Sequence, residues 1–511
     1  MSDNRTFTVP DFGPNDLLTS DKIGTRRIKT STDHARTAFG DVKSESNAPV
    51  TQISAQYGLL QNVLTITDSL ISGTNSVVDK KFTCETGTSA VGLASILTLR
   101  QISSRSGQGV LAIFPAIFGE PAVDNNQAAG LITAENSFVF GFIGTSFGIF
   151  SIRDGLDELQ ELTLTVAASG AETATVTIDG IPHLVSLSGT GITDDAYEIA
   201  TDLNATVPNY NFTSNGSTVV AQAIIPGPMG SFDYSSDGTS TGSWVQIEPG
   251  TEGTTTFIPQ SDWNVDTRLV GDEDSILNPL FNNDYQIQLN GSADFFVEDR
   301  VTKRMVLVHR MSFVNESTNN NPANSTFRVG WLVRNLGNTS NVTIQGGKAG
   351  LFNEGEIYYD TIPRGISNSQ NVPADDALQT SVLILRNRLS FAGAVNRSEV
   401  LPLIIAGSTE SNKFAEFRLL LDPVFSSPVN FSYLDKTSSL IEFSNDEVLV
   451  TGGREIGSLI VEAGNPQERV FNQTTKTTTA VYPGTIIAIV ATLETGVASS
   501  CHVSTTIQED L

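Results

Sequence analysis

Between Ser137 and Ile143 every second residue is a phenylalanine: Phe138, Phe140 and Phe142 alternate with Val139, Gly141 and Ile143. A period of two is that of a strand, and it places the three rings on one face. A ladder of rings needs a second layer to cover it. Two neighbours extend the pattern within 107–155. Val110–Phe118 is an apolar run rich in β-branched and aromatic residues, and Ser146–Arg153 follows the ladder after Gly144-Thr145. Gly141 and Gly148 leave gaps where another backbone or ring approaches closely. We read the three segments as strands of one sheet, the inner sheet of a β-sandwich, covered by the segments on either side.

At 511 residues the chain exceeds what one core of ~250–300 residues holds, so several domains are expected. Charged residues make up 17%, against a typical ~25%, and small polar residues fill the difference, as in proteins of many short strands and turns. The net charge of −26 argues against a nucleic-acid partner, which would need clustered Lys and Arg. The small basic cluster at 22–29 (KIGTRRIK) reads as a solvated tail. Cys84 and Cys501 match no metal spacing and make no disulfide framework, so free thiols and a reducing compartment are expected. No signal-peptide core opens the chain and no run of 18 apolar residues occurs, so neither secretion nor membrane insertion is expected.

In order, the chain reads as mainly β: a multi-domain, jelly-roll-like β-sandwich protein with a small inserted α+β domain. Residues 1–45 are a polar arm with isolated apolar anchors, Phe7, Val9, Phe12, Leu17 and Leu18. Residues 46–160 and 251–362 make a discontinuous sandwich. Between them, 161–250 changes texture to a ββαββ unit. Asp179-Gly180 marks its first hairpin. Its helix, 194–203, has Ala196, Ile199, Ala200 and Leu203 on one face and Thr193 or Asp194 as cap. Residues 363–376, with two prolines, read as a linker. Residues 377–511 carry strands at about ten-residue spacing, a second sandwich.

Chemistry-bearing patterns are few. His34, His183, His309 and His502 form no HxH or HxxxH, and no GxSxG surrounds a serine. His309 alternates within a strand and reads as a satisfied sheet histidine. Asp294, Glu298 and Asp299, and Asp262 with Asp266, are acidic pairs of the kind glycoside hydrolysis uses, though 56 acidic residues make chance proximity the plainer account. Asp272-Glu273-Asp274 lacks the twelve-residue calcium pattern. No catalytic residue, cofactor or metal is therefore expected, and the chain reads as no enzyme. Trp244, Trp263 and Trp331 are the candidate binding residues, because an exposed indole stacks on a sugar face while a buried one simply packs. Asn-x-Ser/Thr triplets are frequent, as an Asn/Ser/Thr-rich chain produces them by chance.

Several phrases resemble those of a family of uncharacterised proteins encoded by large DNA viruses of protists and algae and by marine phages: GQGVLAIFPAIF, NSFVFGFIGTSFGIFSIRDG, FIPQSDWNVD and MVLVHRMSFVN. The C-terminal block, with VTGGREIGSLIVEAG, YPGTIIAIVAT and STTIQEDL, resembles a module recurring in the same proteins, and 161–250 is similar to small α+β domains of phage tail proteins. Together these cover most of 40–511 and bring no active-site residues with them. The resemblance implies a virion structural protein: a capsid-associated spike, fibre or tail-like component, assembled in the host cytoplasm beside other virion proteins and contacting the host surface. A homo-oligomer is expected, with a trimer as first guess. The alternative is a glycan- or receptor-binding β-sandwich module, and after it a glycan-degrading enzyme.

Overall fold

The Phe ladder lies in the middle of a β-sandwich. The computed structural model describes residues 47–509, together with 18–20 and 26–28, apart from interior segments of which 313–325, 471–479 and 355–361 are the longest. One sheet runs Thr254–Pro259, Ser146–Arg153, Ser137–Ile143, Asn125–Ile132, Thr326–Asn335, Leu93–Thr98, Thr65–Leu70, all antiparallel. The facing sheet runs Met305–Ser312, Ser292–Glu298, Asn283–Leu289, Val110–Phe118, Thr343–Gly346, Lys81–Glu85, Thr74–Val78. Lys348–Glu354 pairs with both Val110–Phe118 and Asn47–Ser54. The chain is mainly β, with sheets packed as sandwiches.

The ladder points inward, and Phe138 and Phe140 are sealed from solvent. The Phe140 ring centroid lies 4.7 Å from Tyr285 and 5.4 Å from Phe295, both on the facing sheet. Gly141 and Gly148 sit directly opposite each other. A methyl group on Gly141 would strike the Gln127 carbonyl and one on Gly148 the Ile258 carbonyl, so these glycines do admit a neighbouring backbone.

One expectation fails here. Val110–Phe118 belongs to the facing sheet, and the sheet of the ladder holds instead Asn125–Ile132, a strand the sequence reading passed over. Its residues, NNQAAGLI, include poor strand formers, but both of its edges are paired by strong strands, so tertiary pairing overrides propensity. Gln127 clamps the crossing between sheets: its Oε1 accepts from Gly119 N–H (2.8 Å) and its Nε2 donates to the Gly119 carbonyl (3.2 Å).

Residues from Leu159 to Glu248 hold a separate core that includes Leu162, Val176, Ile199, Leu203, Phe212 and Val219. A sheet of Tyr210–Asn215, Thr218–Ala223, Leu159–Val166 and Thr241–Glu248, and another of Ile181–Leu187, Glu172–Ile178 and Phe232–Ser236, carry one helix, Ile192–Thr206. Asp179 and Gly180 both take positive φ, as a two-residue hairpin turn of this hand requires. The ββαββ pattern omits Phe232–Ser236 and Thr241–Glu248. The helix also starts before the expected caps, at Ile192 after Gly191, with no side-chain cap. Asp195 turns inward instead and accepts from Ala168 N–H (2.7 Å).

The C-terminal sandwich packs Ile362–Val372, Ser499–Glu509, Val400–Thr409 and Gln467–Val470 against a six-stranded sheet centred on Thr380–Asn387 and Ile486–Leu493. The expected linker is therefore a strand: Ile362–Val372 pairs along its whole length with Ser499–Glu509. It is an edge strand, the place in a sheet where a proline such as Pro363 is tolerated, and Ile366 and Val372 bury inward. Of the arm 1–45, the structure describes only Leu18–Ser20 and Arg26–Ile28, paired antiparallel; Phe7, Val9, Phe12 and Leu17 lie outside the described residues.

Candidate functional site

The three tryptophans separate. Trp331 is fully buried, its Nε1–H donating to the Pro115 carbonyl (2.9 Å) and its ring meeting Phe82 at 5.5 Å. Trp263 is buried beneath Phe140 and Phe147 at 6.0 and 6.2 Å. An indole enclosed in a core offers no face to a sugar, so neither serves as a surface binding residue. Trp244 is half-buried on the insert, 4.8 Å from Phe232, which lies 5.6 Å from Tyr210. These three partly exposed rings form a cluster that sequence reading missed in part, because Tyr210, Phe232 and Trp244 come together only across three strands.

Of the acidic candidates, Asp294, Asp299, Asp266 and Asp262 are engaged by neighbours, and Glu298 is half-buried at the end of its strand. Asp294 holds Arg310 in a fork, at 2.7 Å to Nε and 2.5 Å to Nη2. Asp299 accepts from Thr302 N–H (2.7 Å) and from Arg268 Nη2 (2.7 Å), and these donors hold its carboxyl down to about 2. Asp266 lies 3.5 Å from Arg268 Nη1, and exposed Asp262 accepts from Ser261 Oγ. Asp272-Glu273-Asp274 lies outside the described residues. His309 is a satisfied sheet histidine: its Nδ1 accepts from Asn264 N–H (3.1 Å), and burial pushes its pKa down. Both thiols are buried and outside any disulfide, with Cys84 Sγ donating to the Trp331 carbonyl (3.8 Å), and burial pushes Cys84 far up and Cys501 to about 11, so neither is a thiolate near neutral pH. Among the described residues no group of three or more His, Cys, Asp or Glu side chains is placed to hold a metal ion, and no helix is long and apolar enough to cross a membrane.

The densest buried polar chemistry lies where the two sandwiches and the insert meet. Glu135 and Arg328 from the first sandwich, Asp157 and Gln222 from the insert and its root, and Arg397 and Tyr482 from the C-terminal sandwich line a cavity of about 490 Å³. Arg397 pairs with Glu135, its main-chain carbonyl accepts from Gln101 Nε2 (2.8 Å), and Arg328 lies over the Tyr482 ring at 5.5 Å. A second clamp joins insert to C-terminal sandwich. Arg386 and Glu442, directly opposite on neighbouring strands, pair at 2.6 Å. Arg386 Nη2 also donates to the Ser214 carbonyl (2.5 Å), Asn215 Nδ2 donates to Glu442 Oε1 (2.5 Å), and the guanidinium lies 4.0 Å over the Phe431 ring. A third contact is apolar: Leu159 and Val220 bury against Val395, whose N–H donates to Glu248 Oε2 (2.9 Å). No sequence spacing announces these pairs, since their partners lie up to 296 positions apart, as Gln101 and Arg397 do.

No protein-family model matches the chain, and no curated protein sequence matches it. Solved structures similar to it include arcelin-5, a lectin-like defense protein from Phaseolus vulgaris, at 11% identity and TM-score 0.21 over 60% of this chain and 100% of that one. The triple jelly roll protein of an archaeal virus turret assembly shows 7% identity and TM-score 0.14 over 87% and 90%. A chain of Sulfolobus turreted icosahedral virus shows 8% and 0.14 over 92% and 100%. TM-scores this low carry no argument about what the chain does.

Proposed function

We propose that this chain is a structural component of a virion, a capsid-associated spike, fibre or tail-like protein that assembles with copies of itself and with other virion proteins in the host cytoplasm. The observation that carries the reading is the set of buried and half-buried charged groups where the units meet. A buried ion pair contributes little net stability, but it defines one geometry, because displacing either partner strands a charge. Arg397–Glu135 ties the two sandwiches, and the Ser214 carbonyl and Asn215 amide of the insert bond to the Arg386–Glu442 pair of the C-terminal sandwich, so the three units keep one arrangement, as a building block of a shell requires. The resemblance of the 107–155 and 450–511 phrases to that viral protein family supports the same reading. In it the chain performs no catalysis.

The test is the composition of particles. Mass spectrometry of gradient-purified particles from the source should find the chain in fixed ratio to the major capsid protein. Its presence in infected-cell lysate but absence from purified particles would overturn the reading.

One observation favours a second reading, a glycan-binding module: the half-buried Tyr210, Phe232 and Trp244 cluster on the insert. A glycan array probed with the full chain should then give signals that Trp244→Ala removes, whereas signals unchanged by that substitution, or none, would discard it.

A further inference from the structure

The root of the insert carries an acid with no counterpart in either reading above. Asp157 begins the crossing from the first sandwich into the insert and is 7% exposed. Its Oδ1 is sealed and has no hydrogen-bond partner among the described residues. Among the described residues its Oδ2 accepts a single long 3.4 Å bond, from Gln222 Nε2. A buried carboxylate so weakly solvated is costly when ionised.

The groups around it give little help. On its own segment Glu158 is buried and accepts from Gln160 and Gln246. Glu248, at the other end of the insert, repels it and is engaged by Val395 N–H. Glu252 lies beside Gly227, which bridges to Asp157. Across the cavity Arg397 is taken by Glu135, Arg328 by the Thr98 and Leu99 carbonyls, and Arg454 lies by Asp422. The seat itself is held by main-chain hydrogen bonds immediately around Asp157. Leu156 and Thr251 exchange bonds of 2.9 and 3.0 Å, Gly227 N–H donates to the Leu156 carbonyl (3.2 Å), Ala223 N–H to Glu158 (3.0 Å), and Gly155 N–H to Glu135 (3.2 Å).

We propose that the seat of the insert on the first sandwich is a proton-operated latch: with Asp157 neutral the root closes, and with Asp157 ionised it opens more readily to let the carboxylate reach water. Burial first, and Glu248 after it, raise the Asp157 pKa to about 6. For an acid whose folded pKa lies above its unfolded value of ~3.9, the stabilisation is full below the unfolded value and is lost as pH rises through the folded one. The latch is therefore tight in mild acid and loose at neutral pH. This inference does not depend on the virion reading.

Hydrogen–deuterium exchange on the full chain at pH 5.0 and 7.5, corrected for intrinsic rates, tests it. Protection of the Gly155, Leu156, Ala223, Gly227 and Thr251 amides should rise on acidification by up to about 10-fold, because pH 5.0 lies about one unit below the folded value of about 6 and still above the unfolded ~3.9. The Phe140 amide in the sandwich core is the control and should not respond. Asp157→Asn, neutral and of the same shape, should be highly protected at both pH values. Glu248→Gln should move the midpoint to lower pH while keeping the response. Equal protection of the five root amides at both pH values in the unaltered chain would overturn the latch. A pH response that survives Asp157→Asn would overturn it equally, and would assign the titration to another group.

Discussion

Phe140 gathers Tyr285, Phe295 and Trp263 within 6.0 Å between ring centroids, so three other elements meet on one ring. Removing it leaves a large cavity in a core with little freedom to collapse. Phe140→Ala should cost ~3–5 kcal/mol of stability, read as a fall in the urea midpoint at unchanged slope. A loss below ~1 kcal/mol would contradict the inward placement of the ladder. Asp299 provides a charge counterpart. Its folded pKa, held to about 2, lies below the unfolded ~3.9, so its contribution is present above ~4 and lost as pH falls through about 2. Asp299→Asn should therefore lower the thermal midpoint at pH 6 and have a shrinking effect toward pH 2, which calorimetry across that range would follow. Phe140 was legible because strand periodicity alone aims it inward. The Asp299 pairing was not, since Arg268 reaches it from a separate loop.

At the scale of elements, strong periodicity was read correctly and weak periodicity was not. Val110–Phe118, Ser137–Ile143 and Ser146–Arg153 are strands as read, whereas Asn125–Ile132 and Ile362–Val372 owe their conformation to the strands beside them. The insert has its own core, and its ends, Leu159 and Glu248, are opposite each other in one sheet. Replacing 161–250 by a short Gly/Ser linker should leave a soluble protein with β circular dichroism; an insoluble product would show that the rest cannot fold without it. The clamp predicts an asymmetry. Arg386→Met alone should cost ~3–5 kcal/mol by stranding Glu442, while Arg386→Met with Glu442→Leu should recover most of it, a comparison that urea titration resolves.

At the scale of the whole molecule, the two sandwiches and the insert are tied through Glu135, Arg386, Arg397, Glu442 and the contact of Val395 with Leu159 and Val220. We expect the apolar residues of 1–45 to be received by a neighbouring subunit. Light scattering coupled to size exclusion should show an oligomer for the full chain, a trimer first, and weakened assembly after deletion of 1–45 with the β circular dichroism kept. A monomer at every concentration, unchanged by the deletion, would refute it.

The class of fold and the inward face of its central strand follow from local pattern alone, because strand periodicity and ring size are local properties that burial then reads out. Local pattern also marked where the texture changes near Leu159, since a helix-bearing segment differs in composition from the strands around it. Only the tertiary structure decided which sheet each strand joins, which tryptophan stays near the surface, and which charges meet at the junction. Strand order and ion pairing are set by partners hundreds of residues away, and by the desolvation of groups such as Asp157, which no pattern of neighbouring residues records.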